Sequence, residues 1–273
     1  MCLALIAFAA HPRYRMVVAA NRDEFHARPA APAAWWAEGF LAGRDLKAGG
    51  TWLGVNRDGR FALLTNVREP SRHDPRAPSR GTLVPNLLTT REPLTAALRA
   101  QVQAGAAHNG FNLVAGDVDE LLWGSNRGAA ALGLKPGVYG VSNHLLDTPW
   151  PKLERTKAAL RHWCETDDAR EDLAPVLALL HDTERAPDAE LPATGVSLER
   201  ERMLSAPFIV GADYGTRCST VLTITSDGVA HWIERSFDSS GTATGDVEHR
   251  FQVPPSDAPA GAQHGRSQRV YGA

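Results

Sequence analysis

Apolar residues gather in short runs separated by turn-forming residues. Leu3 to Ala10 is apolar, and Met16 to Ala20 follows after His11-Pro12 and Arg13-Tyr14-Arg15. Two such runs around a proline-bearing turn predict a hairpin. A secretory signal peptide is the weaker reading of Ala7-Phe8-Ala9-Ala10, because no basic segment precedes it. Thr51 to Val55 and Phe61 to Val67 flank Asn56-Arg57-Asp58-Gly59, whose Asp-Gly marks a tight turn and a second hairpin. Ser219 to Thr225 and Val229 to Phe237 flank Ser226-Asp227-Gly228 and predict a third. Further strands are expected over Phe111 to Ala115, Glu120 to Gly124 and Gly137 to Val141, with Asn143 at the end of the last.

Helical patterns fall in blocks between the hairpins. Thr82 to Thr89 is one, and Pro93 to Ala104 is another, with Leu94, Ala97, Leu98 and Val102 along one face. Pro151 opens a helix to about Glu165 striped by Leu153, Ala159, Leu160 and Trp163, and Leu173 to His181 follows. Arg68 to Arg80 reads as a mobile basic loop, Ala186 to Arg202 as a polar segment, and residues 253–273 as a disordered tail. Paired strands without strict βαβ alternation predict an α+β domain of antiparallel sheets covered by helices, one domain over residues 1–252.

Composition narrows the function classes. Lys and Arg total 29 against 31 Asp and Glu, so no broad field draws nucleic acid or an acidic membrane to the surface. The three cysteines, Cys2, Cys164 and Cys218, are odd in number and widely spaced, which argues against a disulfide framework or a zinc site. No apolar stretch reaches the roughly 20 residues of a membrane span, and a cytoplasmic location is expected. GxSxG, GxxxxGK[ST], GxGxxG and HExxH motifs are all missing.

What stands out is Cys2. A cysteine after the initiator methionine is small enough for Met1 to be trimmed, which exposes an α-amine beside a thiol. With ordinary pKa values of about 7.7–8.0 and about 8.5, one residue then carries a base and a nucleophile. Alone, Cys2 reads better as the small apolar start of a buried strand. The Asn21-Arg22-Asp23-Glu24 run alters that reading, because it follows the second apolar run and hairpin geometry returns it to the start of the first. An arginine there lowers a thiol pKa, and a carboxylate orients an ammonium.

These residues resemble the NRDE or TANGO2 family, named for the Asn21-to-Glu24 run. The resemblance takes in Met1-Cys2-Leu3, Gly49-Gly50-Thr51-Trp52-Leu53-Gly54, Leu64-Thr65-Asn66-Val67-Arg68, Ser79-Arg80-Gly81, Gly140-Val141-Ser142-Asn143 and Thr216-Arg217-Cys218-Ser219-Thr220-Val221. A more distant similarity is to N-terminal-nucleophile hydrolases of the penicillin acylase and bile salt hydrolase type. It implies a four-layer αββα sandwich that cleaves amide bonds. On that resemblance Cys2 is the nucleophile, and Arg22, Asp23 and Arg217 surround it. The Asn66 backbone N–H and the Asn143 side chain would form the oxyanion hole. Glu24 is an added charge that departs from that pattern, and Asn21, Glu24, Arg68 and Arg80 are the candidate ligand-binding residues. The implied activity is a thiol amidase or acylase acting on a small non-peptide amide or thioester, with no cofactor and no metal.

A second reading comes from the same resemblance. Arg68, Arg72, His73, Arg76 and Arg80 put five cationic or titratable groups in one loop that could meet a carboxylate, a phosphate or a haem propionate. TANGO2-like proteins are associated with haem trafficking and with lipid or acyl-coenzyme A metabolism. A non-catalytic carrier of haem or an acyl compound, with haem as cargo, is the alternative.

Overall fold

The two amino-terminal runs pair as a hairpin in a computed structural model that describes residues 2–167 and 171–254. Strand β1 (Cys2–Phe8) lies antiparallel to β2 (Tyr14–Phe25), in a register that sets Phe8 opposite Met16 and Cys2 opposite Arg22. The second strand does not end before Asn21, as the sequence suggested. It continues through the whole Asn-Arg-Asp-Glu run, because β11 (Tyr214–Thr225) pairs with its other edge as far as Phe25. Strand β11 satisfies one side of the backbone there and β1 the other as far as Arg22, so polar side chains no longer end the strand.

With β10 (Gly137–Val141), β12 (Val229–Phe237) and β13 (Ala243–Gln252), these strands form a six-stranded sheet in the order β10-β1-β2-β11-β12-β13. A second sheet takes β3 (Ala30–Trp35), β4 (Phe40–Asp45), β5 (Leu53–Asn56), β6 (Phe61–Asn66), β7 (Phe111–Gly116), β8 (Leu121–Ser125) and β9 (Leu132–Gly133) in sequence order. All pairings are antiparallel. The predicted Asp-Gly turns hold: Gly59 and Gly228 adopt φ of 80° and 84°, left-handed values that cost glycine little.

The strands at the centre bury both faces. In β1, Ala4, Ile6 and Phe8 pack between the sheets with Met16, Val18, Leu63 and Val114. Leu3, Leu5 and Ala7 pack the other way, against α3 (Pro151–Thr166) and α4 (Ala174–Leu180) through Leu153, Leu160, Val176 and Leu180. The second sheet is covered similarly by α1 (Leu83–Thr89) and α2 (Leu94–Ala104), where Leu87 and Leu98 meet Ala62, Leu64 and Leu113. The layers therefore run helix, sheet, sheet, helix. Each fully buried Leu or Ile contributes about 1.5–3 kcal/mol relative to exposure.

Strands β3, β4 and β13 and helix α5 (Leu198–Leu204) lie outside the predicted elements. Residues 255–273, most of the expected tail, are outside the described residues. No helix among the described residues is long and apolar enough to cross a membrane.

Candidate functional site around Cys2

Because side chains alternate across a strand, the register of β1 and β2 sorts the candidate residues into two layers. Cys2 and Arg22 are directly opposite one another and share the parity of Ala4, Ile6 and Ala20, which face the space between the sheets. Asn21 and Asp23 share the parity of Val17 and Ala19, which face the helices.

Arg22 is 5% exposed, and its guanidinium carbon sits 4.4 Å from the centre of the Trp52 ring. One Nη approaches Asp45 Oδ2 at 3.5 Å, and Arg28 Nε donates to the same oxygen at 2.6 Å. Glu24 lies 3.9 Å from Arg28 and accepts the Phe25 N–H at 2.9 Å. Neither Trp52 nor Asp45 was marked as a site residue from sequence, although Trp52 lies in a stretch that carries the family resemblance.

On the helix side, Asn21 Nδ2 donates to the Leu180 and Pro207 carbonyls at 2.7 and 3.0 Å, and its Oδ1 accepts the Ser219 hydroxyl at 2.6 Å. Asn21 thus ties the strand to its cover and does not line the cleft. Asp23 is 1% exposed; its Oδ1 accepts the Thr216 hydroxyl at 2.8 Å and its carbonyl accepts the Tyr214 hydroxyl at 3.0 Å. Lys152, 2% exposed at the start of α3, also faces Asp23. Sequence gave no signal for it, since a lysine after Pro151 reads as a solvated first-turn residue.

Asn143 is fully buried, and its Nδ2 donates to the Asn66 carbonyl at 3.0 Å. Ser142 Oγ donates to the Cys2 carbonyl at 3.0 Å, so this corner is tied to the start of β1. The proposed ligand arginines separate. Arg68 is buried, bonds Glu201 at 2.7 Å and stacks on Trp150, whereas Arg80 lines the Cys2 cleft and donates to the Gly110 carbonyl at 2.8 Å. The basic loop is therefore no single cationic patch, although His73 reaches the cleft. Arg217 also departs from the cluster. A register shift between Thr216 and Cys218 leaves it outside the ladder, and its Nη1 donates to the carbonyls of Phe25, His26 and Arg28. There it lines a second cavity of about 240 Å³, shared with Arg22, Trp52, Cys218 and Glu234.

The main cleft encloses about 500 Å³. Cys2, Arg22, Asp23, Trp52, Asn66 and Arg80 are among its walls, and most of residues 73–81 line it as well. Burial pushes the Cys2 thiol up; Asp23 adds to that rise, while Arg22 and the Asp23 N–H oppose it. The expected lowering by Arg22 is thus outweighed by desolvation, and the resting sulfur is a thiol. Cys164 and Cys218 are also raised by burial, the former to about 12. No cluster of His, Cys, Asp or Glu able to hold a metal occurs among the described residues.

Comparison with known proteins agrees with this architecture. A crystal structure of a mutant conjugated bile acid hydrolase from Clostridium perfringens superposes with a TM-score of 0.50 at 8% identity, covering 92% of both chains, which shows a shared fold. The bovine Transport and Golgi organization protein 2 homolog is 37% identical over 93% of this chain and 99% of its own. The human homolog is 36% identical over 86% and 93%. The family model for Transport and Golgi organisation 2 matches residues 1–239, and the chain belongs to the TANGO2 family.

Proposed function

We propose that the protein is an N-terminal-cysteine hydrolase acting on a small non-peptide amide or thioester. The observation that carries this reading is the position of Cys2, at the first residue of β1, opposite Arg22 and on the wall of a 500 Å³ cleft. That volume suits a small-molecule ligand. A fold shared with a bile acid hydrolase supports the same class of chemistry.

Removal of Met1 frees the α-amine of Cys2. The thiol sulfur attacks the substrate carbonyl carbon, and its proton passes to that amine. The tetrahedral intermediate collapses, the amine or thiol leaving group takes the proton, and an acyl-thioester remains on Cys2. Water then attacks the thioester, giving its proton to the α-amine and from there to the departing sulfur. Arg22, held by Trp52 and Asp45, stabilises the thiolate, and Asp23 orients the amine. In this reading the Asn66 backbone N–H, from a residue on the cleft wall, and the Asn143 amide, which donates to the Asn66 carbonyl, serve as the oxyanion donors; losing one such donor costs on the order of 10²-fold in kcat.

The test is intact-mass analysis, then brief treatment with limiting iodoacetamide near neutral pH. Loss of Met1 and alkylation of Cys2 ahead of Cys164 and Cys218 are expected. An acyl adduct on Cys2, absent in Cys2→Ala, should form with a reactive substrate among screened amides and thioesters. Retained Met1 or an inert Cys2 overturns the mechanism. A haem or acyl ligand held equally by wild type and Cys2→Ala then supports the carrier reading.

A further inference from the structure

Lys152 is an expensive residue to keep where it lies. Its side chain is 2% exposed and its Nζ has no hydrogen-bond partner. It follows Pro151 in the first turn of α3, where the positive end of the helix dipole disfavours a cation. A methionine would fill the same space without the cost of burying a charge. Five groups face it or its partners. Cys2 comes from β1, Asp23 from β2, Arg68 from the segment after β6, Glu201 from α5, and Tyr214 from β11 through its bond to the Asp23 carbonyl. Burial lowers the Lys152 ammonium to about 8 and Asp23 opposes that fall, so it is largely charged at neutral pH.

A charge count gives this arrangement its meaning. Asp23 and Glu201 supply two carboxylates, and Lys152 and Arg68 supply two cations, so the helix side of the pocket is balanced before Cys2 contributes anything, while Arg80 faces Cys2 and Glu24 from the cleft side. Arg22 belongs to the opposite face, where it and Arg28 share Asp45 and Glu24 lies 3.9 Å from Arg28. An α-ammonium added beside Asp23 would be a third cation in a buried space. We propose that Lys152 is a positioning residue for the Cys2 site, compensating Asp23 so that the freed α-amine stays neutral and can accept the thiol proton. Without Lys152, the uncompensated Asp23 carboxylate would repel the thiolate and hold the thiol protonated to higher pH. The inference rests on the N-terminal-nucleophile reading.

The experiment is the pH profile, from 5.5 to 9.5, of Cys2 alkylation by iodoacetamide in the full chain with Met1 removed. Lys152→Met should raise the midpoint by about one unit or more, the usual effect of losing a nearby opposite charge, and slow alkylation about tenfold at pH 7. Lys152→Arg should restore it. Asp23→Asn should move the midpoint down, and the double variant Asp23→Asn/Lys152→Met should return it to wild type. The last two keep the test available if Lys152→Met alone fails to fold. A Lys152→Met profile that superposes on wild type, a double variant shifted upward, or an Asp23→Asn midpoint that does not fall overturns the role of Lys152 while leaving the nucleophile reading intact. Retained Met1 in the wild-type protein overturns both.

Discussion

Glu234 offers the sharpest stability test, because it is a carboxyl group buried to 1% exposure on β12, at the wall between the second cavity and the sheet. Burial lifts its pKa from 4.5 to about 7, against the opposing pull of the Ala33 N–H, the Thr220 hydroxyl and Arg22. The folded state therefore keeps a proton that the unfolded chain releases between those values. Stability is fully present below pH 4.5 and is lost as pH rises through 7. The difference of 7 − 4.5 = 2.5 units, at about 1.36 kcal/mol per unit, corresponds to about 3 kcal/mol. Glu234→Gln removes the ionisation and keeps an acceptor for Ala33, at a cost of about 1 kcal/mol for the rearranged bond to Thr220. The variant should match or fall slightly below wild type at pH 5 and exceed it by about 2 kcal/mol at pH 8. Urea denaturation followed by tryptophan fluorescence at several pH values measures the difference. A Glu234→Gln protein less stable than wild type at every pH would refute the reasoning, showing that ionised Glu234 is fully compensated by Arg22.

Two other substitutions probe the scaffold beneath the site. Glu201→Gln leaves the buried Arg68 guanidinium without its carboxylate and should cost about 3–5 kcal/mol in chemical denaturation; a loss under about 1 kcal/mol contradicts a tightly coupled pair. Gly50→Ala places a Cβ 2.4 Å from the Gly81 carbonyl group, where backbone must move, so it should lower the melting temperature and disturb Cys2 alkylation through the Arg80 turn. An unchanged melt and alkylation rate would mean that the two loops separate freely.

Much of the architecture could be read from the chain because its central strands are apolar on both faces. Leu3 to Phe8 and Met16 to Ala20 serve two cores at once, and their turns carry Pro or Gly signals. Strand β13 had no such signal. It is an edge strand whose alternation is Val247, His249 and Phe251 against Glu248 and Arg250, held by ion pairs such as Arg235 to Asp246 at 2.7 Å. Strand β3 was hidden by Pro32 and by an irregular register between Ala31 and Ala34. At the site, Cys2, Arg22 and Asp23 were readable because they lie on paired strands. The role of Lys152 could not be read, since its burial depends on how α3 docks against β1 and β10, a long-range fact with no local pattern. The placement of Arg217 depends on the register shift beside it, which neighbouring residues do not announce.

The alternation of Cys2 and Arg22 into one layer and Asn21 and Asp23 into the other has a consequence for the short connection at Ala9 to Arg13. That connection acts as a length standard for the chemistry. One residue added or removed there, with the ladder re-formed in the next register, would turn the guanidinium to the helix layer and set the Asp23 carboxylate on the face that Cys2 occupies. Every residue type would be unchanged, yet the thiol would face the opposite charge. The reactivity of the site is thus written in the parity of a turn about ten residues from the sulfur.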